Sequence, residues 1–275
     1  MKLLAAEIAY LYGAGRFLKS YIAELEDAYM RGLESFRKVL EELESGGIFR
    51  DLLKITNFVE GDYFSWYLEE MDEDMAKALY EVAKKLTDYE PSTPILETEY
   101  AKDLLKRLYQ NLVPRNVRHK LGEYYTPDWL AELTLDEAGY TVENMEKLAN
   151  EVDNPLAPLN LRILDPACGS GTFIVLAIKR LREYAEKHFL LDVLINYLLN
   201  NVIGYDLNPL AVLAARTNYL LMIADLLGYA RGYVEIPIYL ADSLLVEART
   251  TLRGAVYILR TSVGEFQVPK SIVDR

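Results

Sequence analysis

Asp165-Pro166-Ala167-Cys168-Gly169-Ser170-Gly171-Thr172 is the stretch of this sequence best suited to chemistry. An apolar run, Leu161 to Leu164, precedes it, and an amphipathic run over about 172–188 follows. A strand that turns through glycines into a helix leaves the first helical N–H groups free beside the positive end of the helix dipole. The glycines permit a tight turn and close approach of a ligand to the backbone. An acid at the strand end, Asp165, can hold a cationic group. A Gly-rich turn alone serves equally as a plain connection; its neighbours decide between the two. Asp206 ends a second apolar run, Val202 to Tyr205, 41 residues after Asp165. In doubly wound folds an acid at that place hydrogen-bonds ribose hydroxyls. Asp242 ends a third run, Ile236 to Leu240, within Ala241-Asp242-Ser243. Carboxylates at the ends of three successive strands converge on one crevice.

Other reactive side chains carry less. Cys168 lies in the Gly-rich turn, but no histidine stands near it to generate a thiolate, so it reads as a small residue in a tight loop. A single cysteine excludes an internal disulfide framework and a multi-Cys zinc site, and no metal site is expected. His119, in Arg115-Asn116-Val117-Arg118-His119-Lys120, belongs either to a phosphate-facing strip or to a solvated linker. His188 closes the helix over about 172–188, where a cation suits the dipole.

The elements that must position the three acids follow from periodicity. Strand, helix (172–188), strand, helix (209–227), strand implies an α/β fold with a parallel sheet and right-handed crossovers. Val256–Arg260 and Glu265–Val268 read as a C-terminal hairpin around Ser262-Val263-Gly264. Upstream, Leu3, Ile8, Leu11, Leu18, Ile22, Leu25, Tyr29, Leu33, Phe36 and Leu40 keep helical spacing, interrupted at Gly13–Gly15. Ser45-Gly46-Gly47 ends that run. Further helices are expected over about 49–58, 62–70, 72–87 and 97–112, with Glu90-Pro91-Ser92-Thr93-Pro94 a break. The chain thus divides into an all-α block, 1–112, and a partial Rossmann-like block, 113–275.

Composition sets the outer limits. Of 275 residues 51% are hydrophobic, enough to bury a sizeable core. No uninterrupted apolar run approaches the ~18 residues of a membrane span, and no signal peptide is evident, so no membrane partner is expected and the cytoplasm is the default compartment. The net charge of −12 argues against a chain whose main task is gripping phosphates. The one basic island, 113–127 with a net of +2, lies between acidic blocks of −8 and −6. Few glutamines and many charges suit a heat-adapted source.

Taken together, DPACGSGTF, GYDLNPLAVLAARTNYLL and ADSLL resemble the first three motifs of S-adenosylmethionine-dependent amino-methyltransferases in their adenine-specific DNA version. Gly122-Glu123-Tyr124-Tyr125-Thr126-Pro127 resembles the GxYYTP segment that precedes the first motif in the N6-adenine class. This order is that of the gamma arrangement, and the resemblance covers about 115–250. It implies that Tyr125 and Thr126 close over the methionine part of the cofactor. Asp165, Ala167 and Gly169, with Ser170 and Gly171 in the same loop, would line that side. Asp206 would bind the ribose, Leu207 would pack on adenine, and Asp242 would accept from the adenine amino group with Ser243 beside it.

One family motif is missing. Asp/Asn/Ser-Pro-Pro-aromatic holds the target amino group and stacks on a flipped base; here no two of the ten prolines are adjacent. No lysine has an acid two positions before it, so the common nuclease site is absent as well. The resemblance therefore implies the cofactor-binding part of a restriction-modification or phage-defence methyltransferase, inactive alone. A missing catalytic half or a specificity subunit would complete it and supply the grip on double-stranded DNA. It also implies a first strand left with an open edge. Two other readings are a non-catalytic S-adenosylmethionine-binding scaffold and a nicotinamide-dependent oxidoreductase. The latter is disfavoured because Ile174 occupies the last glycine position of G-x-G-x-x-G.

Overall fold

A computed structural model describes residues 1–13, 20–59, 61, 63–86, 126–251, 254–261 and 264–269. Residues 113–125 of the basic island, the expected helix over 97–112, Tyr124, Tyr125 and His119 lie outside the described residues. The fold is α/β. Three strands, β1 (Ile163–Asp165), β2 (Val202–Asp206) and β3 (Ile238–Thr251), form a parallel sheet, with Asp165 opposite Gly204 and Asp206 opposite Leu240. β4 (Gly254–Thr261) and β5 (Gly264–Pro269) continue it antiparallel in the order β1-β2-β3-β4-β5. β1 is an edge in this order, and its Leu164 is 56% exposed, unlike a strand buried on both faces of a parallel sheet.

The third strand differs from expectation. It begins at Ile238, two residues late, and it does not end at Asp242 but runs on to Thr251. The register explains how one strand serves two sheets. Ala241 pairs with Thr261 and Val246 with Leu259, so four β3 residues, 242–245, stand against Arg260 alone. The chain bulges there, where parallel pairing hands over to antiparallel. The expected hairpin is present as β4–β5, and β3 joins it as a third strand.

Ten helices frame the sheet among the described residues. In the first block these are α1 (Lys2–Tyr12), α2 (Tyr21–Met30), α3 (Leu33–Glu44), α4 (Gly47–Leu53) and α5 (Glu73–Leu86). The long helical run breaks a second time at Gly32, whose φ of 110° no helix accommodates. The helix expected over 49–58 stops at Leu53, because Lys54 turns left-handed (φ 58°) and Ile55 goes on to pair with Val234. Of the helix expected over 62–70, the described residues form only a short 3-10 turn, Trp66–Leu68. The second block holds α6 (Asp128–Glu137), α7 (Val142–Glu151), α8 (Thr172–Lys187), α9 (Leu191–Asn201) and α10 (Pro209–Ile223). Of these α6, α7 and α9 have no counterpart in the sequence reading. Pro127 precedes α6, Thr141 caps α7 by accepting from Asn144 N–H, and Asn208 caps α10 by accepting from Leu210 N–H.

One hydrophobic cluster runs from Ala5 and Ile8 in α1 to Ile236 and Ile238 at β3, so the first helices and the sheet share a core. Polar side chains sew the two together. Asn57 pairs with the backbone of Ile236 as a strand would, accepting its N–H at 2.8 Å and donating to its carbonyl at 2.9 Å. That pairing occupies Ile236 and moves the start of β3 to Ile238. Arg216, 1% exposed within α10, donates to the Ile238 carbonyl through Nε (2.9 Å) and Nη2 (2.6 Å), and to the Phe58 carbonyl through Nη1 (3.5 Å). The segment Pro209–Tyr229 is long and apolar enough to cross a membrane by length and composition, but 78% of its most apolar window is buried inside this fold.

Candidate functional site

The carboxyl ends of β1 and β2 and the β3 bulge surround a crevice of about 550 Å³. Thr126, Asp165, Ala167, Gly169 and Ser170 line it from the β1 side, and Asp206, Leu207, Asp242 and Ser243 from the β2 and β3 side. Gly171 is not on the wall; its backbone turns into α8 against Ala215. Pro166, Phe173, Pro209 and Leu244 also line the crevice, and nothing in their residue types had marked them.

The Gly-rich turn is held from below by backbone and from the side by an acid. Cys168 N–H donates to the Tyr205 carbonyl at 2.8 Å, docking the loop on β2. Gly169 (φ 56°) and Gly171 (φ 89°) both occupy the left-handed region where a side chain is strained. A Cβ on Gly169 would meet nothing within 4 Å, so the space above it belongs to the crevice. A Cβ on Gly171 would lie 3.4 Å from Ala215, where helix and turn pack closely. The Ser170 carbonyl accepts from Asn218 Nδ2 at 2.8 Å, and Asn218 is only 4% exposed.

Each acid is oriented by a backbone N–H. Asp206 accepts from Gly169 N–H through Oδ2 and from Asn208 N–H through Oδ1, both at 2.8 Å. Asp165 Oδ1 accepts from Ala167 N–H at 3.2 Å, and Asp242 Oδ1 from Leu244 N–H at 2.9 Å. Burial holds the Asp165 carboxyl above the ordinary range; the Ala167 N–H opposes this and the charge of Asp206 adds to it. No lysine, arginine or histidine lines the crevice among the described residues. A site with three carboxylates and no cation suits a positively charged ligand and repels a phosphate-bearing one.

Burial pushes the Cys168 thiol well up, with the Asp165 and Asp206 charges adding to it. At 5% exposed, it fills the space beside Gly204, where an added Cβ would stand 3.0 Å from its Sγ. Cys168 is therefore expected to ignore thiol reagents in the native protein and to react fully in denaturant. Stoichiometric labelling of the folded chain would contradict that. His188 Nε2 lies 2.8 Å from Glu146 and its ring 4.4 Å from that of Tyr184, at the far end of α8 from the crevice. The residues missed in sequence, Arg216 and Asn218, had one available sign: they interrupt an otherwise apolar helix.

Fold and site define a class: a Rossmann-like sheet with an acid-lined crevice above a Gly-rich strand-to-helix turn. Comparison with known proteins narrows it. Residues 137–229 match the family described as MmeI, DNA-methyltransferase domain, a span that includes the Gly-rich turn, β2 and α10. A curated relative, the putative type II restriction enzyme and methyltransferase RM.MjaORFECS2P of Methanocaldococcus jannaschii, is 27% identical over 189 residues. That match covers 51% of this chain and 16% of the relative's own length. No solved structure matches. The chain is thus similar to restriction-modification DNA methyltransferases.

Proposed function

We propose that this chain forms the cofactor-binding part of a DNA methyltransferase that carries a methyl group from S-adenosylmethionine to adenine N6, in a restriction-modification or phage-defence system. The observation that carries the reading is the crevice itself: three carboxylates, no basic side chain among the described lining residues, and a glycine cradle open to the space above Gly169. S-adenosylmethionine bears a sulfonium and an α-ammonium and no phosphate, so its charge fits this lining, whereas a nicotinamide dinucleotide's does not. When bound, it supplies an electrophilic methyl group.

The chain's own residues bind and orient. Asp165, Ala167 and Gly169 take the methionine side, with Asp165 facing the α-ammonium and Tyr125 and Thr126 closing over it. Asp206 offers the ribose hydroxyls the lone pairs that Gly169 and Asn208 leave free. Leu207, 68% exposed at the crevice, packs on the adenine, and Asp242 accepts from its amino group. In this reading residues 1–112 are a helical block and 113–275 the cofactor part, acting in the cytoplasm on double-stranded DNA. The base-holding Asn/Asp-Pro-Pro-aromatic tetrapeptide would come from outside these 275 residues, and the basic island at 113–121 is the local candidate for a phosphate contact.

The test is methyl transfer from labelled S-adenosylmethionine to DNA, assayed with the chain alone and with the products of adjoining reading frames. Label is expected on N6-methyladenine, and only when a polypeptide bearing the tetrapeptide is present. Label on cytosine, or transfer by the chain alone, refutes the assignment. A pH effect follows from Asp165. Its ionised form holds the ammonium, and burial raises the pH at which that form is lost. Affinity for S-adenosylmethionine should fall as pH drops from neutrality into the carboxylate range, and earlier than for an ordinary Asp. Asp165→Asn should bind weakly and flatten the profile; a wild-type Kd constant over this range would count against the role.

A further inference from the structure

Ser243 lies in the bulge of β3 and Pro166 follows β1, and these strands are not neighbours, since β2 lies between them. Adjacent strands are about 4.8 Å apart, so β1 and β3 run about 10 Å from each other. Yet Ser243 Oγ donates to the Pro166 carbonyl at 2.8 Å. The two loops therefore lean together over the end of β2, where Asp206 stands. The bulge makes this reach possible, because residues 242–245 are released from the ladder between the Ala241 and Val246 pairings. Leu244, within the bulge, is 91% exposed and adds no packing to it. Two hydrogen bonds orient the bulge, the turn from Leu244 N–H to Asp242 Oδ1 and the tie from Ser243 to Pro166, and the tie is the one that reaches the Gly-rich turn.

We infer that Ser243 is a positioning residue, whose hydroxyl ties the β3 bulge to the Gly-rich turn and so aims the Asp242 carboxylate at the exocyclic amine of the cofactor's adenine. The inference rests on the reading of the crevice given above. It assigns Ser243 an action through Asp242 rather than a contact of its own, because its proton is already committed to Pro166. A carboxylate accepts from an amine but repels a carbonyl oxygen, so correct aim appears as discrimination between adenine and hypoxanthine.

The experiment titrates the 275-residue chain with S-adenosylhomocysteine and with its deaminated hypoxanthine counterpart. Wild type should prefer the adenine form. Ser243→Ala and Ser243→Val should lower that preference about three- to tenfold, the range of one hydrogen bond, while Ser243→Thr, which matches valine in shape but keeps the hydroxyl, retains it. In an Asp242→Ala background, where the preference is already gone, Ser243→Ala should remove nothing more from it. Unchanged preference in both the Ala and Val variants overturns the inference, as does a wild type that binds both ligands equally. A folded wild type that binds neither ligand overturns the crevice reading, and the inference with it.

Discussion

Asp206→Ala is expected to abolish cofactor binding and to destabilise the protein by about 2–4 kcal/mol. The two effects have one origin. Asp206 is the side chain by which β2 holds the Gly-rich turn, through Gly169 N–H, and opens α10, through Asn208 N–H. Without it, two backbone donors lose a charged acceptor and the turn loses its lateral support. Asp206→Asn should rescue little. An amide has only one accepting oxygen, whereas the aspartate uses both; whichever way the amide sits, its NH₂ faces a backbone N–H. Urea denaturation read beside calorimetry with S-adenosylmethionine tests this. An Asn variant that binds and folds like wild type would show that the two hydrogen bonds do not matter.

Arg216→Met should have the larger effect on stability, about 3–5 kcal/mol, though the residue touches no crevice surface. The guanidinium sits 1% exposed and serves carbonyls from two distant parts of the chain, Ile238 at the start of β3 and Phe58 from the first block. Met can fill most of the volume but satisfies neither carbonyl, so the loss reports the hydrogen bonds more than the packing. Arg216→Lys is expected to be nearly as damaging, since an ammonium cannot reproduce the fork that places Nε and Nη2 on one carbonyl. Because the same side chain joins the first helices to the sheet, both blocks should lose structure together. A variant with the wild-type urea midpoint, or one that melts only the first block, would contradict this account.

The placement of the three acids was legible because it depends on local pattern: an apolar run, then an acid, then a helix. Asp165 and Asp206 stand at strand ends as that pattern implies. Asp242 does not, because the length of β3 is decided by a partner, β4, that lies beyond it in sequence. Nothing within Ala241-Asp242-Ser243 announces that pairing resumes at Val246. The same holds for the strand's start, which Asn57 shifts from 179 residues away. The helices α6 and α7 escaped notice for another reason. Their apolar faces are short, with two buried residues each, so periodicity had little to register. Arg216 and Asn218 were visible as polar residues in an apolar helix, but only the fold reveals which carbonyls they serve.

The net charge of −12 changes meaning in this light. Three of its carboxylates converge on the crevice without a cation among its described lining residues, and that is the feature separating a cationic methyl donor from a phosphate-bearing dinucleotide. The most direct test is a calorimetric titration of the folded, monodisperse chain with S-adenosylmethionine and, in parallel, with nicotinamide adenine dinucleotide. Saturable binding of S-adenosylmethionine alone, lost in Asp206→Ala, is the predicted result. Binding of the dinucleotide in its place, or of neither, would contradict it.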